Sequence, residues 1–163
     1  MKTKLGVLSM EDNCLICQRI AMIKANLNPY FVKELSTGYV VLADSQYFRG
    51  YTLFLAKEHV TELHLMSPAT KAQFMLEMSW VSEACAKVFH ADKMNVEMLG
   101  NGDSHAHWHI IPRHNGDTPT PGPIWWVKPE IMYADDTAPT PEDLTAMKSK
   151  LNTALETVIS HYR

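Results

Sequence analysis

Apolar residues recur along this chain in two periods, and the switches between them mark out its elements. Leu15, Ile16, Ile20 and Ile23 stand among polar neighbours and predict a short helix over 15–25, which Pro29 keeps from continuing. Three β-favouring runs follow at 30–35, 39–43 and 51–56. A turn at Ser36-Thr37-Gly38 separates the first two, and a loop over 44–50 separates the last two. Ser67-Pro68 reads as an N-cap followed by proline at the first helical position. Behind it Phe74, Met78, Val81, Cys85 and Val88 step by 4, 3, 4 and 3, which predicts a long helix over 68–90 with one buried face. Runs at 95–99 and 107–112 predict two more strands. Residues 114–141, rich in Pro, Asp and Thr, predict a long loop or extended segment. A last helix opens at Pro139-Thr140-Pro141-Glu142-Asp143 and continues to about His161, with Leu144, Met147, Leu151, Leu155 and Val158 on one face. Five strands at hairpin-like spacing predict an α+β fold, an antiparallel five-stranded sheet with one long packed helix. There is no internal repeat, and residues 1–163 read as one domain.

One of the predicted strands carries chemistry. In His105-Ala106-His107-Trp108-His109-Ile110-Ile111 three histidines alternate with apolar residues. Alternate residues of a strand share a face, so the three imidazoles line up on one side while Ala106, Trp108 and Ile110 turn toward a core. Histidine is the side chain best suited to act near neutral pH as base, nucleophile or metal ligand. A Gly-rich loop, Gly100-Asn101-Gly102-Asp103-Ser104, leads into the run. A metal cluster or a chance surface grouping are the plainer alternatives, but the alternation and the preceding loop favour a reaction centre.

Composition narrows the partners. The chain has 163 residues, 46% hydrophobic and 20% charged, enough for a core without disulfide staples. A net charge of −3 gives a nucleic-acid partner no support, and no apolar run is long enough for a membrane span. The N-terminal stretch Met1–Met10 is too short in apolar residues for a signal peptide, and Glu11 and Asp12 follow it, so the cytoplasm is the expected compartment. Cysteine usage agrees, since Cys14-Leu15-Ile16-Cys17 in such a chain is more often a metal knuckle or a redox pair than a disulfide. A redox pair would want a thioredoxin-like βαβ context, which is absent. A zinc site would need two more ligands, for which His59 and one of the alternating histidines are the candidates. Cys85 lies on the apolar helix face and reads as a small core residue.

The pattern His-φ-His-φ-His-φ-φ, with φ apolar, resembles the signature of the histidine triad superfamily of nucleotide hydrolases and transferases. Pro112-Arg113 and the run Gly50–Val60, with its Lys57-Glu58-His59 element, are also similar to that family, and the likeness covers about residues 14–126. Residues 127–163 then form a C-terminal extension with a helix. The resemblance implies His107 as nucleophile on the α-phosphate of a nucleotide, with His109 contacting the phosphate. It implies a structural zinc on Cys14, Cys17, His59 and His105, a ribose contact at Asp44, and a homodimer paired through the long helix and an edge strand. Asn101 and Ser104, in the loop before the strand, are candidate phosphate donors; Arg113 is a candidate substrate contact, or else a solvated strand end. Many family members have histidine where this chain has Tyr51. The short loop before the triad and the segment Pro121-Gly122-Pro123-Ile124-Trp125-Trp126 resemble a bacterial branch described as diadenosine-tetraphosphate-hydrolase-like.

Three function classes stay open on the residues: a hydrolase of dinucleoside polyphosphates or other nucleotide conjugates, a nucleotidyltransferase, and a nucleotide-binding module with weak phosphoramidase activity. The intact triad disfavours the binding module. The presence of His109, where the transferase branch has glutamine, favours hydrolysis.

Overall fold

A computed structural model of the chain describes residues 13–162. The stretch Met1–Met10, read above for a leader, lies outside the described residues. Helix α1 (Leu15–Lys24) precedes strands β1 (Phe31–Glu34), β2 (Gly38–Leu42) and β3 (Thr52–Ala56). The long helix α2 (Pro68–Phe89) leads to β4 (Lys93–Glu97) and β5 (His107–Arg113), then to a short helix α3 (Pro129–Met132) and a second long helix α4 (Pro141–Ser160). All strands pair antiparallel in one sheet of order β1-β2-β3-β5-β4, the α+β architecture that the periodicity predicts.

The two long helices start as their sequences dictate. Ser67 accepts a hydrogen bond from the Thr70 N–H and Thr140 one from the Asp143 N–H, each with proline in the first helical turn. One face of the sheet, with Val40, Leu42, Phe54, Ala106 and Ile110, packs against Phe74, Val81, Ala84 and Cys85 of α2. Leu144, Met147, Leu151, Leu155 and Val158 of α4 join the same cluster. The sheet therefore carries two long helices on that face, and the C-terminal helix closes the core. Cys85 is fully buried, its thiol pushed up to about 12 by desolvation, as fits a core residue.

The opposite face carries His107 and His109. Ile16, Ile20 and Ile23 of α1 pack there against Tyr39, Val41 and Leu55. At the other end Ile124 and Met132 pack with Tyr51 and Ile111. This segment differs from the expected loop: three short helical turns punctuate 124–137, because Ile124 and Met132 bury their side chains on the sheet. Strand β4 runs two residues earlier than its apolar run predicts, since pairing with β5 (Lys93 opposite Arg113, Glu97 opposite His109) rather than hydrophobicity sets its register. Pro112 lies past the last rung that β5 makes with β3, where a residue lacking N–H interrupts nothing on that side. Among the described residues no helix is long and apolar enough to cross a membrane.

Candidate active site and metal cluster

The alternating histidines lie on the sheet face opposite α2. Registry pairs Leu55 with His107 and Leu53 with His109, so these four side chains share that face. His105 precedes the regular strand, but its backbone neighbourhood is already pinned. Ala106 accepts from the Ala56 N–H and donates its own N–H to the Val60 carbonyl.

His107 is 7% exposed, and its Nδ1 lies 2.6 Å from the His105 carbonyl oxygen. A carbonyl only accepts, so Nδ1 carries the proton and Nε2 keeps its lone pair. The ring therefore presents an unprotonated nitrogen to the cleft that it lines. His109 lies beside it with its ring tilted by 60°, ring centroids 4.7 Å apart, and its Nδ1 is 2.6 Å from the Tyr51 hydroxyl. Burial, aided by repulsion from His107, lowers the His109 pKa from 6.5 to about 4, so this ring is neutral at physiological pH. Trp125 packs edge-on to His109 at 5.7 Å and donates its indole N–H to Glu97 at 2.7 Å. Burial also raises the Tyr51 phenol well above its ordinary value.

The cleft holds about 280 Å³ and is more apolar than polar. Leu15, Ile16, Val41 and Leu53 form its greasy wall, with His107 and His109 at its floor and Tyr133 from the C-terminal segment at its side. An apolar slot with a few convergent polar groups is the usual form of a small-molecule site. Asp44 lies on its rim, bonded through both carboxylate oxygens to Arg19 of α1.

The second cluster lies at the N-terminal end of the histidine strand. Cys14 is the N-cap of α1, its sulfur accepting from the Cys17 N–H, and the first helical turn brings both thiols to one point. The Cys17 Sγ is 3.2 Å from His59 Nδ1 and 3.4 Å from His105 Nδ1, and the Cys14 Sγ is 3.6 Å from the same His105 nitrogen. The four candidate ligand atoms all fall within 4.8 Å of one another. Tetrahedral zinc with two sulfurs and two nitrogens would place sulfur and nitrogen about 3.5 Å apart, from bond lengths of about 2.3 and 2.0 Å. His105 fits the same role: its Nε2 donates to the Ala56 carbonyl at 2.8 Å, leaving the Nδ1 lone pair directed at the thiols. His59 lacks that anchor, its buried Nε2 having no hydrogen-bond partner among the described residues.

The other candidates fall out differently. The strand stays regular through Arg113, which shares the histidine face but does not line the cleft. Its guanidinium is buried and occupied. Nε and Nη2 bond Asp117 at 2.7 and 2.8 Å, Nη1 bonds the Asn95 side chain and the Gly122 carbonyl, and the group lies over the Phe48 ring at 4.8 Å. It pins the 114–122 loop, and is neither a free cation nor a solvated strand end. Asn101 and Ser104 are exposed and do not line the cleft; Asp103 is the residue of that loop that does. Arg19, Asn28 and Tyr133 line it without having been read from the sequence. Asn28 and Tyr133 have no motif to betray them, but Arg19 lies one helical turn past Leu15-Ile16, so the helix period offered a signal.

Comparisons with known proteins identify the family and the fold. The HIT domain model matches residues 30–116, more than half of the chain, and the chain belongs to the HIT domain family, a group of nucleotide-binding hydrolases and transferases. The chain is similar to the protein called "Protein hit" of Bacillus subtilis (strain 168), 27% identical over 145 residues, covering 86% of this chain and 92% of that one. Its fold matches a histidine triad protein from Marinobacter aquaeolei VT8 with a TM-score of 0.67 and 27% identity, covering 82% of this chain and 95% of that one. It also matches a zinc-bound histidine triad family protein from Mycobacterium smegmatis with a TM-score of 0.66 and 21% identity, covering 93% and 99%.

Proposed function

We propose that this protein is a nucleotide phosphohydrolase that cleaves dinucleoside polyphosphates or other nucleotide conjugates at the α-phosphate through a nucleotidyl-histidine on His107, as the diadenosine-tetraphosphate-hydrolase-like branch is described. The observation that carries this reading is the His107 Nδ1 bond to the His105 carbonyl, which frees Nε2 as a nucleophile facing the cleft. Nε2 attacks phosphorus, the N–P bond forms, and the P–O bond to the leaving group breaks with its electron pair departing on that oxygen. Water then attacks the same phosphorus and gives up a proton to solvent, the N–P bond breaks, its electron pair returns to Nε2, and a nucleoside monophosphate is released. Splitting one displacement into two lowers each barrier. His109, neutral beside it, offers a ring N–H to the phosphate oxygens. The apolar wall takes the base, and Asp44 takes the ribose hydroxyls on displacement of Arg19.

The Cys14, Cys17, His59 and His105 cluster holds a structural zinc in this reading, supported by its donor set and by the Ala56 anchor of His105. Bound zinc would cross-link α1 to the loop that carries His105, whose carbonyl in turn holds His107. The whole chain acts as one domain, and two copies pair as a homodimer, for which β4 offers a sheet edge.

The test is adduct trapping. The protein is mixed with a dinucleoside polyphosphate labelled at the α-phosphate, quenched in alkaline denaturant and digested. Label should appear on the peptide containing His107. His107→Ala should lose the label and more than about 10³-fold of turnover, because removing a covalent nucleophile costs orders of magnitude. Near-native hydrolysis by His107→Ala would overturn the reading.

A further inference from the structure

Tyr51 is a departure from the histidine common in the family, and the structure shows what its hydroxyl does. It is 4% exposed, and its oxygen lies 2.6 Å from His109 Nδ1. A tyrosine hydroxyl has one proton to donate. If Nδ1 carried the imidazole proton and donated to Tyr51, the phenolic hydrogen would need a second acceptor, and among the described residues the hydroxyl has none. With the phenol donating to Nδ1, every proton is placed: Nδ1 accepts, and Nε2 carries the ring hydrogen. A buried hydroxyl left without an acceptor carries the full desolvation penalty of an unmade hydrogen bond, which sets the preference.

We propose that Tyr51 is a positioning residue that fixes His109 as its Nε2–H tautomer, so that His109 faces the reacting phosphate as a neutral hydrogen-bond donor while His107, its tautomer set in the opposite sense by the His105 carbonyl, faces it as an acceptor. Two neighbouring imidazoles of the same strand are thus given opposite polarity by two different anchors, a main-chain carbonyl and a phenol. The pairing divides the work that the triad must do: one lone pair for attack and one N–H for the charge developing on phosphate oxygen. The assignment to the phosphate rests on the proposed hydrolase reading; the tautomer does not.

The experiment has two independent parts. In the full-length protein at neutral pH, 15N-detected spectra of the histidine rings, assigned with His109→Asn, report which nitrogen is protonated. His109 should show Nε2 protonated and Nδ1 bare, and His107 the reverse. Tyr51→Phe keeps the buried ring and removes only the hydroxyl. Its His109 should spread over both tautomers, kcat should fall about 10- to 100-fold, the size of losing one buried hydrogen bond, and the Kd for adenosine monophosphate should stay within about twofold. Tyr51→His, which restores a hydrogen-bond donor at this position as a ring N–H, should recover most of the lost kcat. A wild-type His109 protonated on Nδ1 would overturn the proposal even if Tyr51→Phe failed to fold. So would a Tyr51→Phe protein that keeps a pure Nε2–H tautomer and native kcat. Failure to trap a nucleotidyl-histidine in the wild type would instead remove the hydrolase reading and leave the tautomer result standing.

Discussion

Acidification should destabilise this fold through His109, and the size of the effect follows from its burial. The ring is neutral in the folded protein because desolvation, reinforced by His107, lowers its pKa to about 4, whereas the unfolded chain holds it near 6.5. A folded pKa below the unfolded one means that the unfolded state binds the proton first as pH falls. The contribution is constant above pH 6.5, erodes between 6.5 and about 4, and is lost in full below that window. The difference corresponds to about 3 kcal/mol at the low end and to about 2 kcal/mol at pH 5. For a chain of this length about 2 kcal/mol moves the melting temperature by roughly 4–8 °C. Other groups titrate here too, so the assay compares proteins rather than pH values alone. Tm is measured from pH 7.5 to 4.5 for the wild type and for His109→Asn, whose amide keeps a partner for the Tyr51 hydroxyl. The two curves should run parallel above pH 6.5 and converge below it, with the wild type losing several degrees more. Parallel curves through the whole range would refute the buried neutral imidazole.

Four further outcomes test the rest. The purified protein should retain about one zinc per chain, and Cys17→Ser should lose it; at free zinc a hundredfold above the Kd, the wild type should gain about 2.7 kcal/mol over its apo form, read as a Tm rise that the variant lacks. Leu151→Ala should cost about 2–5 kcal/mol in denaturant unfolding, because Leu151 of α4 is fully buried in the cluster that α4 shares with α2 and the sheet. Gly50→Ala should cost more than about 1 kcal/mol, since Gly50 has φ +88° and an added Cβ would lie 2.4 Å from the Phe89 ring. Arg113→Ala should lower stability in the same assay yet leave KM unchanged, because its guanidinium serves the 114–122 loop; a large rise in KM would return it to the substrate site.

Much of the architecture was legible in one dimension because it rests on local periodicity. The steps of 4 and 3 in α2 and α4, the Ser67-Pro68 and Thr140-Pro141 starts, and the alternation of His105, His107 and His109 each follow from how a helix or a strand distributes side chains. The Cys14–Cys17 spacing likewise closes on itself within one helical turn. Strand β4 lies two residues ahead of its apolar run because its limits come from hydrogen bonding to β5, which leaves no mark in its own composition. What only the tertiary structure decided are the meetings between distant segments: His59 and His105 with the two thiols, Tyr51 with His109, Tyr133 beside the cleft, and Arg113 sequestered by Asp117. A residue's type says what chemistry it can do, but proton position and charge are set by whichever partner the fold puts within 3 Å. That is why His107 and His109, identical in the sequence and two residues apart, present opposite hydrogen-bonding faces to the same cleft.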